Sequence, residues 1–135
     1  MGEVTVHVEA EVHPTEVEEK VNAAIANVFG NLSIEAEPLV VGTQLIGNGK
    51  GLEALESFRA ALRRDRVRSA ARKLLHSSVR GNCISFCLNK QVAFTGHVSF
   101  SEETGECPLG PIKVIIKTES PRELVDWLAP RITET

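Results

Sequence analysis

An α+β single domain is the fold class this chain of 135 residues predicts, and three observations carry the prediction. The run VTVHVEAEV alternates apolar and polar residues, the period of a strand with one buried face. The segment after it repeats its apolar residues at helical spacing, and two short extended runs follow. Strand, helix and two strands in succession open an α+β fold, and the remaining pattern brings the helices to about four.

The first strand is the clearest element: Val4, Val6, Val8, Ala10 and Val12 point one way, and Thr5, His7, Glu9 and Glu11 the other. Pro14 and Thr15 then open a helix. Thr15 with Glu18 has the form of a capping box, and Val17, Val21, Ala24, Ile25 and Val28 make its apolar stripe until Gly30 and Asn31. Leu32, Ile34 and Ala36 alternate as a short strand, and Pro38 separates them from a second extended run, LVVGTQLI.

From Leu52 the pattern is helical, with Leu55, Phe58 and Leu62 on one side. At 100° per residue, a straight helix to Leu75 would place Val67, Ala70, Ala71 and Leu74 about 130° away from that stripe. One core cannot take both, so a break is expected near Arg64 and Asp65, with Asp65 capping a second helix that reaches about Ser78. NCISFCL and QVAFTGHVSF read as a hairpin that pairs Phe86 with Phe94 and Leu88 with Val92. SEETGECPLGP is a loop and IKVIIKT a strand. SPRELVDWLAP is a final helix, with Ser120 as N-cap, Pro121 at the first position and Glu123 completing a box.

Hydrophobic residues at 42% and charged residues at 24% exclude disorder for most of the length. No apolar run approaches the ~18 residues of a membrane span, and MGEVTVHVEAEV lacks the basic and apolar segments of a secretory signal. No membrane contact and a cytoplasmic location are therefore expected. Cys83, Cys87 and Cys107 are odd in number and sparse, which argues for reduced thiols.

The net charge of -3 hides a division. From Arg59 to Arg80 there are eight basic residues and one acid, a local charge of +7, which leaves -10 on the rest of the chain. The centre of this segment, LRRDRVRSAARKLL, holds Arg63, Arg64, Arg66, Arg68, Arg72 and Lys73 against Asp65 alone. On a helical wheel Val67, Ala70, Ala71, Leu74 and Leu75 share one side, and Arg66, Arg68, Ser69, Arg72, Lys73 and His76 the other. Arg68 and Arg72 are four apart and repel unless a carboxylate or a bound polyanion accompanies them. The bland explanation is a solvated face paired with the acidic excess elsewhere. The dominance of Arg over Lys favours phosphate, which suits the planar guanidinium fork.

GNGKG, Gly47 to Gly51, invites a phosphate-loop reading but departs from that motif: Gln44 stands where a Gly is needed, and Gly51 follows Lys50 where Ser or Thr would hold magnesium. It reads instead as a flexible loop between a strand and a helix, with Lys50 free to assist with a phosphate. Cys83 and Cys87 have same-strand-face spacing, as ordinary buried thiols would, and no metal ligand set, cofactor motif or catalytic constellation is found. With no Tyr and a single Trp127, placed in a helix, exposed aromatics for stacking are scarce, so backbone or shape recognition of folded RNA is the better version of a nucleic-acid reading.

The element order, with FRAALRRDRVRSAARKLL, SFCLNKQVAFTGHVSF and CPLGPIKVII, resembles the archaeal group called uncharacterised protein family two hundred and one; LNKQVAF and PLGPI are its most distinctive blocks. The likeness runs from VTVHVEAEVHPTE to VDWLAP. It implies a mostly antiparallel sheet flanked by helices, similar to the large-subunit ribosomal protein that contacts 5S ribosomal RNA, and RNA as the partner. The expected function is therefore RNA binding through the phosphate backbone, with Arg63, Arg64, Arg66, Arg68, Arg72 and Lys73 as contacts and Lys50 as an outlying one. The alternative is a protein-interaction or self-associating module, with a homodimer among its forms. A phosphate-ester enzyme built on Lys50 is a third reading.

Overall fold

The computed structural model describes residues 3–101 and 110–131. Its elements are β1 (Val4–Val12), α1 (Glu18–Val28), β2 (Ser33–Pro38), β3 (Thr43–Lys50), a 3-10 turn (Leu52–Leu55), α2 (Glu56–Arg64), α3 (Arg68–Ser77), β4 (Val79–Arg80), β5 (Cys83–Leu88), α4 (Lys90–Phe94), β6 (Phe100–Ser101), β7 (Ile112–Thr118) and α5 (Pro121–Leu128). The strands form one sheet in the order β2-β3-β1-β7-β5-β4, with β6 also on β5. Every pairing is antiparallel.

β1 lies at the middle of the sheet and has the expected faces: Val4, Val6, Val8, Ala10 and Val12 are buried, whereas Thr5, His7 and Glu9 are only partly covered and Glu11 is exposed. Ile112, Val114 and Ile116 of β7, with Ile84, Phe86 and Leu88 of β5, continue the same inner face. Against it pack Val21, Ala24, Ile25 and Val28 of α1, Phe58 and Leu62 of α2, Ala71 and Leu75 of α3, and Leu124, Val125 and Leu128 of α5. Phe58 anchors α2 to this core. Its ring lies 5.4 Å from that of Phe29 and 5.4 Å from that of Phe86, and the Phe86 ring is 5.7 Å from that of Phe100. Stacks of this kind contribute about 0.5–1.5 kcal/mol per pair beyond the area they bury.

Several local expectations are corrected. The helix expected from Thr15 begins at Glu18, with Val17 at its cap and no side-chain bond there. Glu16 is the reason: its carboxylate accepts from the His13 N–H at 3.0 Å and from Lys90 Nζ at 3.1 Å, which holds residues 13–16 in a turn. LVVGTQLI is divided. Leu39, Val40 and Val41 form an exposed turn closed by Gly42, and the strand starts at Thr43. Gly42 has φ +84°, and a Cβ there would sit 2.4 Å from the Val12 carbonyl oxygen, so glycine is required.

GNGKG is not a loop; all but Gly51 belong to β3, with Gly47 opposite Val8 and Gly49 opposite Val6. Both glycines face inward under Leu32, and a Cβ on Gly49 would meet Leu32 Cδ2 at 2.7 Å. They make room for packing. The hairpin expected between β5 and QVAFTGHVSF does not form either. Asn89 Oδ1 accepts from the Val92 N–H at 3.1 Å and caps α4, which buries Ala93 and leaves Phe94 exposed. The chain returns to β5 only at β6, where Phe100 rather than Val92 lies opposite Leu88. Lys90, 1% exposed, donates from Nζ to the Glu11 carbonyl at 2.7 Å as well as to Glu16. The expected loop SEETGECPLGP falls largely outside the described residues, as does Cys107.

Candidate nucleic-acid interface

α2 divides along its length: Phe58, Ala61 and Leu62 are buried, and Glu56, Arg59, Ala60 and Arg63 make the outward stripe at i, i+3, i+4 and i+7. The helix ends where the two incompatible apolar stripes required a break. The Val67 N–H bonds to the Leu62 carbonyl at 3.2 Å and the Arg66 N–H to the Arg63 carbonyl at 3.3 Å, the paired bonds of a Schellman motif. Arg66 occupies its left-handed position with φ +57°, where glycine is the usual residue.

Asp65 is therefore the C-cap of α2, not the N-cap of α3 as expected. Its carboxylate turns instead toward the segment before β6. It accepts from the Val98 N–H at 2.9 Å, pairs with His97 Nδ1 at 2.9 Å and accepts from Arg64 Nε at 3.1 Å. Burial by itself pushes this carboxyl up, but the bonds from His97, Val98 and Arg64 together hold it at about 2. Arg64 also donates to the Gly96 carbonyl, so the corner between α2 and α3 is tied to residues 96–98 by both charges.

α3 is rotated relative to the helical wheel. Ala71 and Leu75 are buried as expected, Ala70 is exposed, and Arg68 and Arg72 are half-buried. The cause is α5. Asp126 Oδ1 receives Arg72 Nη1 at 2.6 Å, and the Ala129 carbonyl receives it at 3.2 Å. His76 Nε2 lies 3.6 Å from the same carboxylate. The Arg72 guanidinium holds the Asp126 carboxyl below the usual carboxylate range, and the repulsion expected between Arg68 and Arg72 is offset at Arg72.

The predicted contacts thus separate into three groups. Arg63, Arg66, Arg68 and Lys73 make no side-chain hydrogen bond or ion pair among the described residues. Arg64 and Arg72 are held by Asp65 and Asp126. Lys50 is elsewhere: it lies opposite Thr5 on the outer face of the sheet, beside a cleft of about 480 Å³ that also takes in His7, Asn48 and Lys117. There His7 is raised above its ordinary value by its bonds to Glu9 at 3.0 Å and Asn48 at 2.8 Å. Cys83 and Cys87, expected to be buried, are half-buried on this outer face.

Two participants escaped the sequence reading. Between α2, the start of α3 and the end of α5 lies a groove of about 740 Å³ lined by Arg59, Arg63, Arg64, Arg68 and Trp127, with Glu56 as its carboxylate. Arg59 donates from Nε to the Trp127 carbonyl at 2.9 Å, and its guanidinium stands 5.0 Å from the indole centroid. A wheel of α5 would have shown Trp127 apart from buried Leu124, Val125 and Leu128; the contact with Arg59, 68 residues away, is tertiary. At the groove's edge Val67 caps α3 without a side-chain acceptor, which leaves the positive end of the helix dipole beside Arg68. Among the described residues no group of three His, Cys, Asp or Glu could hold a metal ion, and no helix is long and apolar enough to cross a membrane.

Comparison with known proteins agrees with the resemblance carried by LNKQVAF and PLGPI. A family model described as RNA binding matches residues 5–118. A UPF0201 protein of Pyrobaculum calidifontis is 44% identical over 122 residues, 90% of this chain and 85% of that one. A UPF0201 protein of Sulfurisphaera tokodaii is 42% identical over 124 residues, 92% and 86% of the two chains. The crystal structure of a UPF0201 protein from Methanococcus jannaschii is similar with a TM-score of 0.83 and 28% identity, over 93% of this chain and 99% of that one.

Proposed function

We propose that this chain, which belongs to the RNA-binding family shared with the archaeal UPF0201 proteins, grips the phosphate backbone of structured RNA through the cationic face of α2 and α3. One observation carries the reading: Arg63 and Arg68 line one groove, and neither they nor the neighbouring Arg66 and Lys73 have a carboxylate partner among the described residues. A protein of net charge -3 that leaves four cations uncompensated within the span from Arg63 to Lys73 has a local field suited to a polyanion. Arg64 and Arg72 shape this face and add charge, though each must share its guanidinium with an internal acceptor. Lys50 meets a different part of the RNA or none, since it lies on the outer face of the sheet. Structured RNA is the target class, because exposed aromatics for reading a single strand are scarce in this chain. Crosslinking RNA in cells that express the protein tests this. An Arg63→Glu, Arg68→Glu double variant that is folded by circular dichroism should recover far less RNA than the wild type, and equal recovery would refute the assignment.

Self-association has one observation in its favour. On the outer sheet face Lys50, Lys117 and Arg80 share a row with Thr5 and Cys83, whereas Glu35 and Glu9 share a row farther along with Lys113, and Glu37 and Glu11 the row after it. Two copies stacked with strands reversed would bring opposite charges together. Sedimentation in the absence of RNA separates the readings, because only this one requires a dimer.

A further inference from the structure

We propose that the groove between α2, α3 and α5 receives one unpaired nucleotide of the bound RNA, its base stacked on the Arg59–Trp127 pair and its phosphate held by Arg63 and Arg68. The inference deepens the backbone reading and rests on it, because the groove opens on the same cationic face.

Backbone contact alone needs neither a concavity nor an aromatic floor. This face has both. The volume of about 740 Å³ lies within the 300–1,000 Å³ typical of small-molecule sites. Trp127 lines the groove partly buried against the core, while its neighbours Leu124, Val125 and Leu128 are buried and fix the helix that carries it. Arg59 is drawn to the indole by its 2.9 Å bond to the Trp127 carbonyl and stands over the ring. Indole and guanidinium are both planar groups on which bases stack, and here they are joined before any ligand arrives, so little ordering is left for the binding step.

The charges along α2 orient the ligand. Glu56 and Arg63 are seven residues apart, about 10 Å along a helix axis. A phosphate belongs at the Arg63 and Arg68 end, away from the Glu56 carboxylate. The base edge then faces Glu56, which accepts from an amino or imino N–H. A base in a continuous duplex cannot enter, whereas one in a bulge or loop is already unstacked at little cost.

Trp127 is the chain's single Trp and there is no Tyr, so intrinsic fluorescence reports on this site alone. The experiment compares two labelled RNA hairpins of equal phosphate number, one fully paired and one with a single-nucleotide bulge. It follows RNA anisotropy and Trp127 quenching with wild-type protein, Trp127→Leu and Arg59→Lys. The wild type should prefer the bulged hairpin by about 5- to 100-fold, the range for one base stacked on an aromatic side chain, with quenching on that RNA only. Both variants should bring the ratio toward one. Arg59→Lys alters an exposed side chain and keeps its charge, so it tests the planar group even if Trp127→Leu proves unstable. Equal wild-type affinity for the two hairpins, with salt-dependent binding to both, would overturn the nucleotide site and leave the backbone reading standing. Salt-independent binding to both would overturn the backbone reading itself. Adenosine 5′-monophosphate is titrated in parallel. Binding tighter than that of the bulged RNA would assign the groove to free nucleotides and overturn its place in RNA recognition.

Discussion

Replacing Arg63 and Arg68 together with Gln should halve the salt dependence of RNA binding. Arg63, Arg66, Arg68 and Lys73 have no internal partner among the described residues, so on the proposed mode of binding an RNA would engage about four phosphates through them. At about 0.7 to 0.9 per phosphate, log K should fall with log salt at a slope of roughly -2.8 to -3.6, a loss of about 50- to 150-fold between 50 and 200 mM. The double variant retains Arg66 and Lys73, for a slope of roughly -1.4 to -1.8 and a loss of about 7- to 12-fold over the same range. Arg72→Gln provides the contrast. That guanidinium is held by Asp126 at 2.6 Å and the Ala129 carbonyl at 3.2 Å, so its removal should change the slope by less than half a unit while loosening α3 from α5. Anisotropy of a labelled, folded RNA across a series of KCl concentrations measures all three. A wild-type slope near zero, or a double variant with the wild-type slope, would refute the reasoning.

Three further predictions concern the scaffold. Arg66→Gly relieves the left-handed strain at the Schellman position, a gain reduced by the greater freedom of glycine in the unfolded chain; a net stabilisation of about 0.5–1 kcal/mol is expected in thermal melts, with a weaker RNA salt slope, and a lower melting temperature would contradict it. Lys90→Met strands the Glu16 carboxylate, which is 7% exposed, and should cost about 3–5 kcal/mol in urea unfolding, whereas the Lys90→Met, Glu16→Leu pair should recover much of the loss. Asp65 titrates at about 2 against an ordinary 3.8, so its contribution is present above pH 3.8 and lost as the pH falls through 2. Asp65→Asn should therefore be less stable than wild type by about 2 kcal/mol at pH 5, and the two should converge near pH 2; a constant difference would count against the clamp.

Elements whose pattern is local were legible in the sequence. β1 has the inward residues that alternation assigns, β7 forms where IKVIIKT reads as a strand, and α5 starts at the Ser120–Pro121 step, although neither Ser120 nor Thr15 makes the expected side-chain cap. The break after Arg64 followed from geometry alone, because two apolar stripes could not reach one core. Where the reading failed, a distant partner decided. Asn89 and Lys90 begin a helix because Glu16 and the Glu11 carbonyl await the Lys90 ammonium, and Asp65 leaves α3 uncapped because Val98 and His97 take its oxygens. The cationic face was visible as a run of arginines. Its groove was not, since α5 brings Trp127 to Arg59 and Asp126 to Arg72 from the far end of the chain.

The two margins of the sheet carry a consequence for crowded solution. At one margin β2 presents Glu35 and Glu37 and ends in Pro38; at the other, β4 and β6 are two residues each and, among the described residues, leave no long run of unpaired amides. Charged or interrupted borders of this kind discourage a foreign strand from extending the ladder, the first step toward amyloid-like growth. Concentrated samples should accordingly stay free of fibrils.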